Sequence, residues 1–556
     1  MMPTSHTIGS LVLDRLHRLG LKHIFGIPGD YVLSLFQLIE ESPIKHVGTT
    51  REDCAGFAAD AYARLHGIGG ACVTYCVGGL NIVNAIACAY AERSPVVLLS
   101  GSPGLAERLT TPFLHHMVRD FFTQRDVFEK ITVASVILDD PLTAERELDR
   151  ALTALIQYKR PVYLEIPRDM VFAPVSISSH APPTITGETS NPVALKEAVD
   201  EVRTILSSSE RPVILAGAEI YRFGLQNELT TLVERMGVPV ATTLLGKSVL
   251  REDHPLFIGV YGGLVGREEI LEFVDQADCL LTLGTLLTDV EDVKIHSTLL
   301  AAGRTIHATA DSIAIKHHRY EGVQFEDFIR ALSTAPLPSF LPRPLPTPDP
   351  GAFEAPPSHA PVTLQNMVGY LDGLLNEHTV VIADVGESLF ASADLRVRKS
   401  AEFLSPAYYT SMGFSVPAAL GAGFADPSLR PLVLVGDGAF QMTGTELATC
   451  LRHGQTPIVI ILNNRGYTTE REILEGPFND VHEWRYDKIC TLLNGGIGHR
   501  VETFGTFVQA MDSAMADSGH LHVLNVILDP KDRSTAMTRV ARRLAKRLSQ
   551  PSPERS

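Results

Sequence analysis

Two short turns in the last third of the sequence combine residue types suited to holding a phosphate and a small dication. Gly436-Asp437-Gly438, followed by Ala439, comes directly after the apolar run Leu432 to Val435. A glycine turn between strand and helix leaves backbone N–H groups free for phosphate oxygens, and Asp437 adds a hard oxygen ligand. The next apolar run, Ile458 to Leu462, ends in Asn463-Asn464-Arg465-Gly466, which brings an amide oxygen and a glycine carbonyl to the same carboxyl edge of a sheet. Carboxylate, amide, backbone carbonyl and phosphate oxygens are the ligand set magnesium prefers, and no soft ligand is present to favour zinc. Either turn alone is an ordinary loop signal. Their succession on consecutive strands points to a cofactor clamp, and the absence of GxGxxG there argues against a nicotinamide site.

Other titratable groups are ambiguous by position alone. Glu52, in Thr50-Arg51-Glu52-Asp53, precedes an alanine-rich helix, where an acid ordinarily complements the helix dipole. His115 and His116 are adjacent, so their side chains point in different directions and make a poor metal pair. Asp30 lies in Pro28-Gly29-Asp30, and Glu470 ends Gly466-Tyr467-Thr468-Thr469-Glu470, with Ile473 one helical turn further. Met412, in Ser411-Met412-Gly413, reads as a core residue. Cys72 and Cys76 share CVTYC, a spacing that places both on one strand face and lacks the second half of a zinc site.

The elements that must carry these residues alternate. Ile8, Leu11, Val12, Leu16 and Leu19 recur at helical spacing before Gly20. Apolar runs bounded by Pro, Gly or Ser follow at Val96 to Leu99 and Val162 to Leu164, and further runs at Val213 to Ala216, Val238 to Val240, Cys279 to Leu283 and Val380 to Ala383. Short buried runs separated by helices predict α/β domains, each a mostly parallel sheet flanked by helices. A helix is expected around Thr445 to Leu451. Polar residues from His180 to Ser190 and dense proline from Pro336 to Pro361 read as connections. The expected organisation is a first domain over 1–178, a second over 191–335, a Pro-rich linker over 336–360 and a third domain over 361–548.

A length of 556 residues suits about three domains. The formal charge of -16 opposes binding to a polyanion, so no nucleic-acid partner is expected. Arg539, Arg542, Arg543, Lys546 and Arg547 alternate with Met537, Val540, Leu544 and Leu548, as on the solvated face of a terminal helix. No run approaches a membrane span, and the N-terminus lacks a secretory pattern. Seven cysteines in mostly apolar or small-residue settings fit reduced core thiols, so a cytoplasmic location is expected.

The motifs GDGAFQMTGTEL, NNRGYTTE, FGIPGDY, TREDCAGFAADAYAR, LHHMVRD, RPVYLEIPRDM, SMGFSVPAALGA and GPFNDVHEWRY span nearly the whole chain. On these the sequence resembles the thiamine diphosphate-dependent 2-keto acid decarboxylases, the group containing pyruvate, indolepyruvate, phenylpyruvate and branched-chain keto acid decarboxylases. The resemblance implies a three-domain α/β architecture of pyrimidine-binding, middle and diphosphate-binding domains. It implies thiamine diphosphate with Mg2+ on Asp437, the Asn464 side chain and the Gly466 carbonyl. Gly436, Gly438, Ala439 and Tyr467 would complete the diphosphate-end contacts, and Met412 would prop the cofactor in its bent shape. Glu52 matches the glutamate on the aminopyrimidine, while Asp30, His115, His116 and Glu470 match the proton-transfer set.

The implied reaction is non-oxidative decarboxylation of a 2-oxo acid to an aldehyde and carbon dioxide through a thiazolium ylide and an enamine. Relatives specialised for pyruvate tend to carry a bulkier branched residue where this chain has Thr469. With Ile473 as an apolar wall, Thr469 favours an aromatic or longer aliphatic substrate, phenylpyruvate or indolepyruvate ahead of pyruvate. The alternatives are a pyruvate or benzoylformate decarboxylase, a carboligase of the acetolactate-synthase type, or an inactive metabolite-binding paralogue. The partners implied are further copies of the chain, at least a dimer and commonly a tetramer, with neither membrane nor nucleic acid.

Overall fold

The computed structural model describes residues 6–110, 113–175, 185–263, 265–288, 303, 305–346, 353–397 and 402–548, with side chains up to residue 543. Parts of the two connecting stretches, 180–184 and 347–352, lie outside these residues, as do the side chains of Leu544, Lys546, Arg547 and Leu548. Two compact units are present. One comprises Met1–Glu188, Val416–Ser428 and Thr445–Gly454, and the other Thr189–Ser415, Leu429–Gly444 and Gln455–Ser556.

Three sheets form three α/β domains. The first contains β1 (His23–Gly26), β2 (Lys45–Gly48), β3 (Gly69–Val73), β4 (Val96–Ser102), β5 (Ala134–Ile137) and β6 (Val162–Pro167), in the order β2-β1-β3-β4-β6-β5. The second contains β7 (Pro212–Ala216), β8 (Val240–Thr242), β9 (Phe257–Val260), β10 (Cys279–Leu283), β11 (Thr305–Ala308), β12 (Ile313–Ile315) and β13 (His318–Tyr320), in the order β13-β12-β11-β10-β7-β8-β9. The third contains β14 (Thr379–Ala383), β15 (Glu402–Leu404), β16 (Arg430–Gly436), β17 (Ile458–Asn463), β18 (Ile497–Val501) and β19 (His522–Ile527), in the order β15-β14-β16-β17-β19-β18. The first and third sheets are parallel throughout. In the second, among the described residues, β12 alone runs against the others, pairing antiparallel with both β11 and β13. The central strands are buried on both faces, as their continuous apolar runs require.

Helix Ile8–Arg18 buries Ile8, Leu11, Val12 and Leu16, and Gly20 takes a φ of +97° just beyond its end. Thr7 and Ser10 close its first turn reciprocally. Helix Glu52–His66 is rich in alanine because it is pressed from two directions. A Cβ on Gly56 would lie 2.5 Å from the Cβ of Ala85, and one on Gly421 would lie 2.1 Å from the Ala58 carbonyl oxygen.

Four expectations need correction. Cys72 is on β3, but Cys76 is not; it precedes helix Val77–Asn81 at a φ of +51°, because the chain turns after Val73. All seven cysteines are buried and free. The helix after β16 begins at Asp437 itself, with Gly436 as its N-cap, and only a second helix covers Leu447–Arg452. The strand expected at Val238 begins at Val240, since Pro239 has no N–H for the ladder. Arg539 is not on a solvated face: it bonds the Val265 carbonyl and Asp394.

The Pro-rich stretch has no helix or strand among its described residues and is nevertheless anchored. Phe340 N donates to Met236 O at 2.7 Å, and Arg343 to Pro212 O at 2.8 Å.

At the β18–β19 edge, His499 Nε2 lies 3.0 Å from His522 Nδ1, and His522 Nε2 lies 3.3 Å from Asp517. Burial lowers the pKa of both rings; the His522 imidazole further disfavours charge on His499, while on His522 burial outweighs the bond to Asp517. The unfolded chain therefore binds protons first as the pH drops below about 6.5, so this pair's contribution to stability is present above that pH and lost on acidification. Between pH 7.5 and 5.5 the wild-type Tm should fall by about 2–4 °C more than that of His499→Gln. Equal acid sensitivity of the two proteins would reject this account.

Candidate active site

In the second unit, β16 delivers Gly436 and Asp437 to its carboxyl end, and the neighbouring β17 delivers Asn463 and Asn464. The Asp437 side chain is buried. It accepts from Gly438 N at 2.7 Å and from Arg465 N at 2.6 Å, which ties the two turns together. Burial pushes its pKa up to about 6, against the pull of the backbone N–H groups. No side-chain cation bonds it among the described residues, so a metal ion would relieve the cost of its charge. Asn464 Nδ2 donates to Thr468 Oγ1 at 2.6 Å, and its Oδ1 accepts from Gly466 N at 3.2 Å. The Cβ direction of Gly436 is open, whereas a Cβ on Gly438 would strike the Tyr467 ring at 2.5 Å. Gly466 is equally confined, between Arg471 and Asn479 O, each 2.6 Å from its Cβ position. Open space beside Gly436 and a buried carboxylate with no side-chain cation bonded to it among the described residues fit a diphosphate held through a dication.

Met412 sits in a turn fixed by Asp384. That buried carboxylate accepts from Gly413 N at 3.1 Å and from Ser415 N and Oγ at 2.9 and 2.7 Å. Thr443 Oγ1 donates to Gly413 O at 2.8 Å, and Gly413 has a φ of +85°. In the same unit, helix Thr468–Ile473 carries Thr469, Glu470 and Ile473. The Thr469 hydroxyl is buried without a partner, 3.6 Å from the Cβ position of Gly386, whose φ of +82° favours glycine. Glu470 is exposed and Ile473 is 69% exposed.

The first unit holds the remaining groups. Glu52 opens its helix, and its Oε2 accepts from Asn81 Nδ2 at 2.6 Å. The buried Glu446 accepts from the N–H and hydroxyl of Thr50, two residues before Glu52, and so fixes this helix start. Asp30, His115 and His116 converge, with reactive atoms within 4.8 Å of one another. His115 Nε2 is 2.7 Å from Asp30 Oδ2, and the His116 Nδ1 is buried without a hydrogen-bond partner among the described residues. His116 has a φ of +67°, which turns its ring back beside that of His115 at 4.7 Å between centroids. Arg168 Nη1 lies 3.8 Å from Asp30, and Arg168 Nε donates to Glu107 at 2.8 Å, which holds the Glu107 carboxyl below its usual range. Tyr31 stacks on His115 with centroids 4.6 Å apart.

Of the sequence-expected residues, Asp437, Asn464 and Gly466 thus meet at two linked turns, and Asp30, His115 and His116 converge in the other unit, which also carries Glu52; Thr469, Glu470 and Ile473 share the helix that follows the second turn. Supporting groups that sequence reasoning missed are Asp384, Thr468, Asn81, Glu446 and Tyr31. Thr468, Glu446 and Tyr31 fall inside the quoted motifs, but their partners, apart from that of Thr468, are distant in sequence.

Three family models match in order: the N-terminal TPP binding domain of thiamine pyrophosphate enzymes over residues 6–127, the central domain over 199–332 and the C-terminal TPP binding domain over 384–526. The chain is 37% identical over 530 residues to an indole-3-pyruvate decarboxylase of Azospirillum brasilense, covering 94% of this chain and 95% of that protein. It is 34% identical over 562 residues to an alpha-keto-acid decarboxylase of Mycobacterium leprae, covering 99% and 98%. It is 31% identical over 549 residues to pyruvate decarboxylase 3 of Arabidopsis thaliana, covering 95% and 91%. With all three domains matched and near-complete coverage of several decarboxylases, the chain belongs to the thiamine diphosphate-dependent 2-oxo acid decarboxylase family, carboxy-lyases that act without oxidation of the substrate.

Proposed function

We propose that this decarboxylase prefers an aromatic or longer aliphatic 2-oxo acid, phenylpyruvate or indolepyruvate ahead of pyruvate, with Mg2+ held by Asp437, Asn464 and Gly466. The observation that carries the substrate preference is the small Thr469 in place of the bulkier branched residue of relatives specialised for pyruvate. Its buried hydroxyl, without a hydrogen-bond partner among the described residues, lies 3.6 Å from the Cβ position of Gly386, so a longer branched side chain would be crowded there. The higher identity to an indole-3-pyruvate decarboxylase than to a pyruvate decarboxylase supports the same reading.

Bound thiamine diphosphate supplies an electron sink that no side chain offers. The chain's residues supply the rest. Asp437, Asn464 and the Gly466 carbonyl present the oxygen ligands of the dication, and Met412 supports the cofactor's shape from a turn that Asp384 and Thr443 hold. Glu52, kept in place by Asn81, would be the group that exchanges a proton with the aminopyrimidine. Asp30, within hydrogen-bond reach of His115 Nε2, would with His115, His116 and Glu470 furnish the proton transfers of the reaction.

The test is a panel of 2-oxo acids with the magnesium- and cofactor-loaded enzyme, identifying aldehyde against acyloin products. The wild-type kcat/KM for phenylpyruvate or indolepyruvate should exceed that for pyruvate about tenfold. Thr469→Ile should lower the aromatic values about tenfold, since a methylene's worth of pocket is worth about 1–3 kcal/mol, and leave pyruvate within about threefold. Preference for pyruvate by the wild type, or acyloin as the main product, would overturn the reading.

A further inference from the structure

Tyr31 is buried between its own sheet and the acid–base cluster. Its backbone rests on Gly101 of β4, where any Cβ would lie 2.0 Å from the Tyr31 carbonyl oxygen. Its ring lies under the Arg168 guanidinium at 5.0 Å and stacks on His115 at an interplanar angle of 22°. The phenol oxygen has two partners, both on His115: Nδ1 at 3.1 Å and the backbone carbonyl oxygen at 3.2 Å. A phenol has one proton to donate, and a carbonyl only accepts. These facts restrict the arrangement to two states. When His115 is neutral with its proton on Nε2 toward Asp30, Nδ1 is bare and the Tyr31 hydroxyl donates to it. When Nδ1 carries a proton, Nδ1 donates to the Tyr31 oxygen and the hydroxyl turns to the carbonyl.

We propose that Tyr31 is a positioning residue whose hydroxyl rotates between these two acceptors, so that His115 keeps a hydrogen bond at Nδ1 in both protonation states. The pair can then gain and lose a proton without moving the ring from Asp30. This deepens, and rests on, the reading of Asp30 and His115 as an acid–base pair. Burial raises the Tyr31 pKa, so the phenol remains protonated and available for both roles at neutral pH.

Loss of the hydroxyl has a definite sign. A hydrogen bond from charged imidazolium is about twice as strong as one to the neutral ring, so its removal costs the protonated state more. The apparent pKa of the Asp30–His115 pair should drop in Tyr31→Phe. The other charged or titratable groups facing the pair are Arg168, Glu107, His116 and, behind Tyr31, Tyr75. The phenylalanine ring leaves all of them in place and preserves both the stacking and the Arg168 contact.

The experiment compares wild type and Tyr31→Phe as cofactor- and magnesium-loaded enzymes. One readout is the pH dependence of kcat/KM with the fastest 2-oxo acid of the panel. The other is the pH dependence of His115 modification by diethylpyrocarbonate, which acylates the neutral ring, followed by peptide mass spectrometry. Both should shift down by about one pH unit, with kcat lowered roughly tenfold and KM nearly unchanged. Unshifted or upward-shifted modification overturns the proposal. His115→Gln is run alongside: if it decarboxylates like the wild type, the acid–base reading fails, while the modification profile of Tyr31→Phe still decides the role of the hydroxyl.

Discussion

Glu52→Gln should lower kcat by about 10^3-fold while the affinity for the cofactor diphosphate stays within about threefold. The amide keeps the shape of the side chain and an oxygen to accept from Asn81, whose Nδ2 lies 2.6 Å from Glu52 Oε2. It cannot exchange a proton with a ring nitrogen. The rival explanation of this residue is local: an acid in the first turn of a helix stabilises it by about 0.3–1 kcal/mol. That rival predicts a small loss of thermal stability with turnover intact, so the two readings diverge by orders of magnitude in one assay. Aldehyde production at the wild-type rate would remove Glu52 from the mechanism. A fall in kcat accompanied by an equal loss of cofactor binding would assign it to retention of the cofactor.

Asp437→Ala should weaken magnesium-dependent cofactor binding by at least about 100-fold, read by titration of the apoenzyme with thiamine diphosphate at fixed Mg2+. Two effects combine. A hard ligand is lost, and the N–H groups of Gly438 and Arg465 lose the carboxylate that orients both turns. Leaving buried N–H groups unpaired costs about 1–3 kcal/mol each, so some loss of folding stability should accompany the change. Asp437→Asn separates the contributions. An amide oxygen can still accept from one backbone N–H but carries no charge for the dication, so this variant should be closer to wild type in thermal stability than in metal dependence. Equal cofactor affinity in wild type and Asp437→Ala would reject the placement of the metal.

The meeting of the two turns was legible in the sequence because its parts are local. Gly436-Asp437-Gly438 and Asn463-Asn464 each follow a strand that announces itself as an apolar run, and parallel strands put successive C-terminal turns on one sheet edge. The helix start was less legible: Gly436-Asp437-Gly438 looks like a free turn, yet Gly436 caps a helix that Asp437 opens. Cys76 was misplaced for a similar reason, because two-residue alternation says nothing about where a strand stops. Arg539 was assigned to solvent by its helical face alone, whereas Asp394 and the Val265 carbonyl, far away in sequence, receive it.

By itself, the sequence determined three α/β domains and the succession of the turns Gly436-Asp437-Gly438 and Asn463-Asn464 on neighbouring strands, since these depend on short-range pattern and residue type. Only the tertiary structure decided which groups support them. Burial lifts Asp437 to about 6, Asp384 holds the Met412 turn, Asn81 holds Glu52, and Tyr31 meets His115 across 84 positions of sequence. Desolvation and hydrogen-bond partnership arise from side chains brought together by sheet topology, and no local periodicity encodes such meetings.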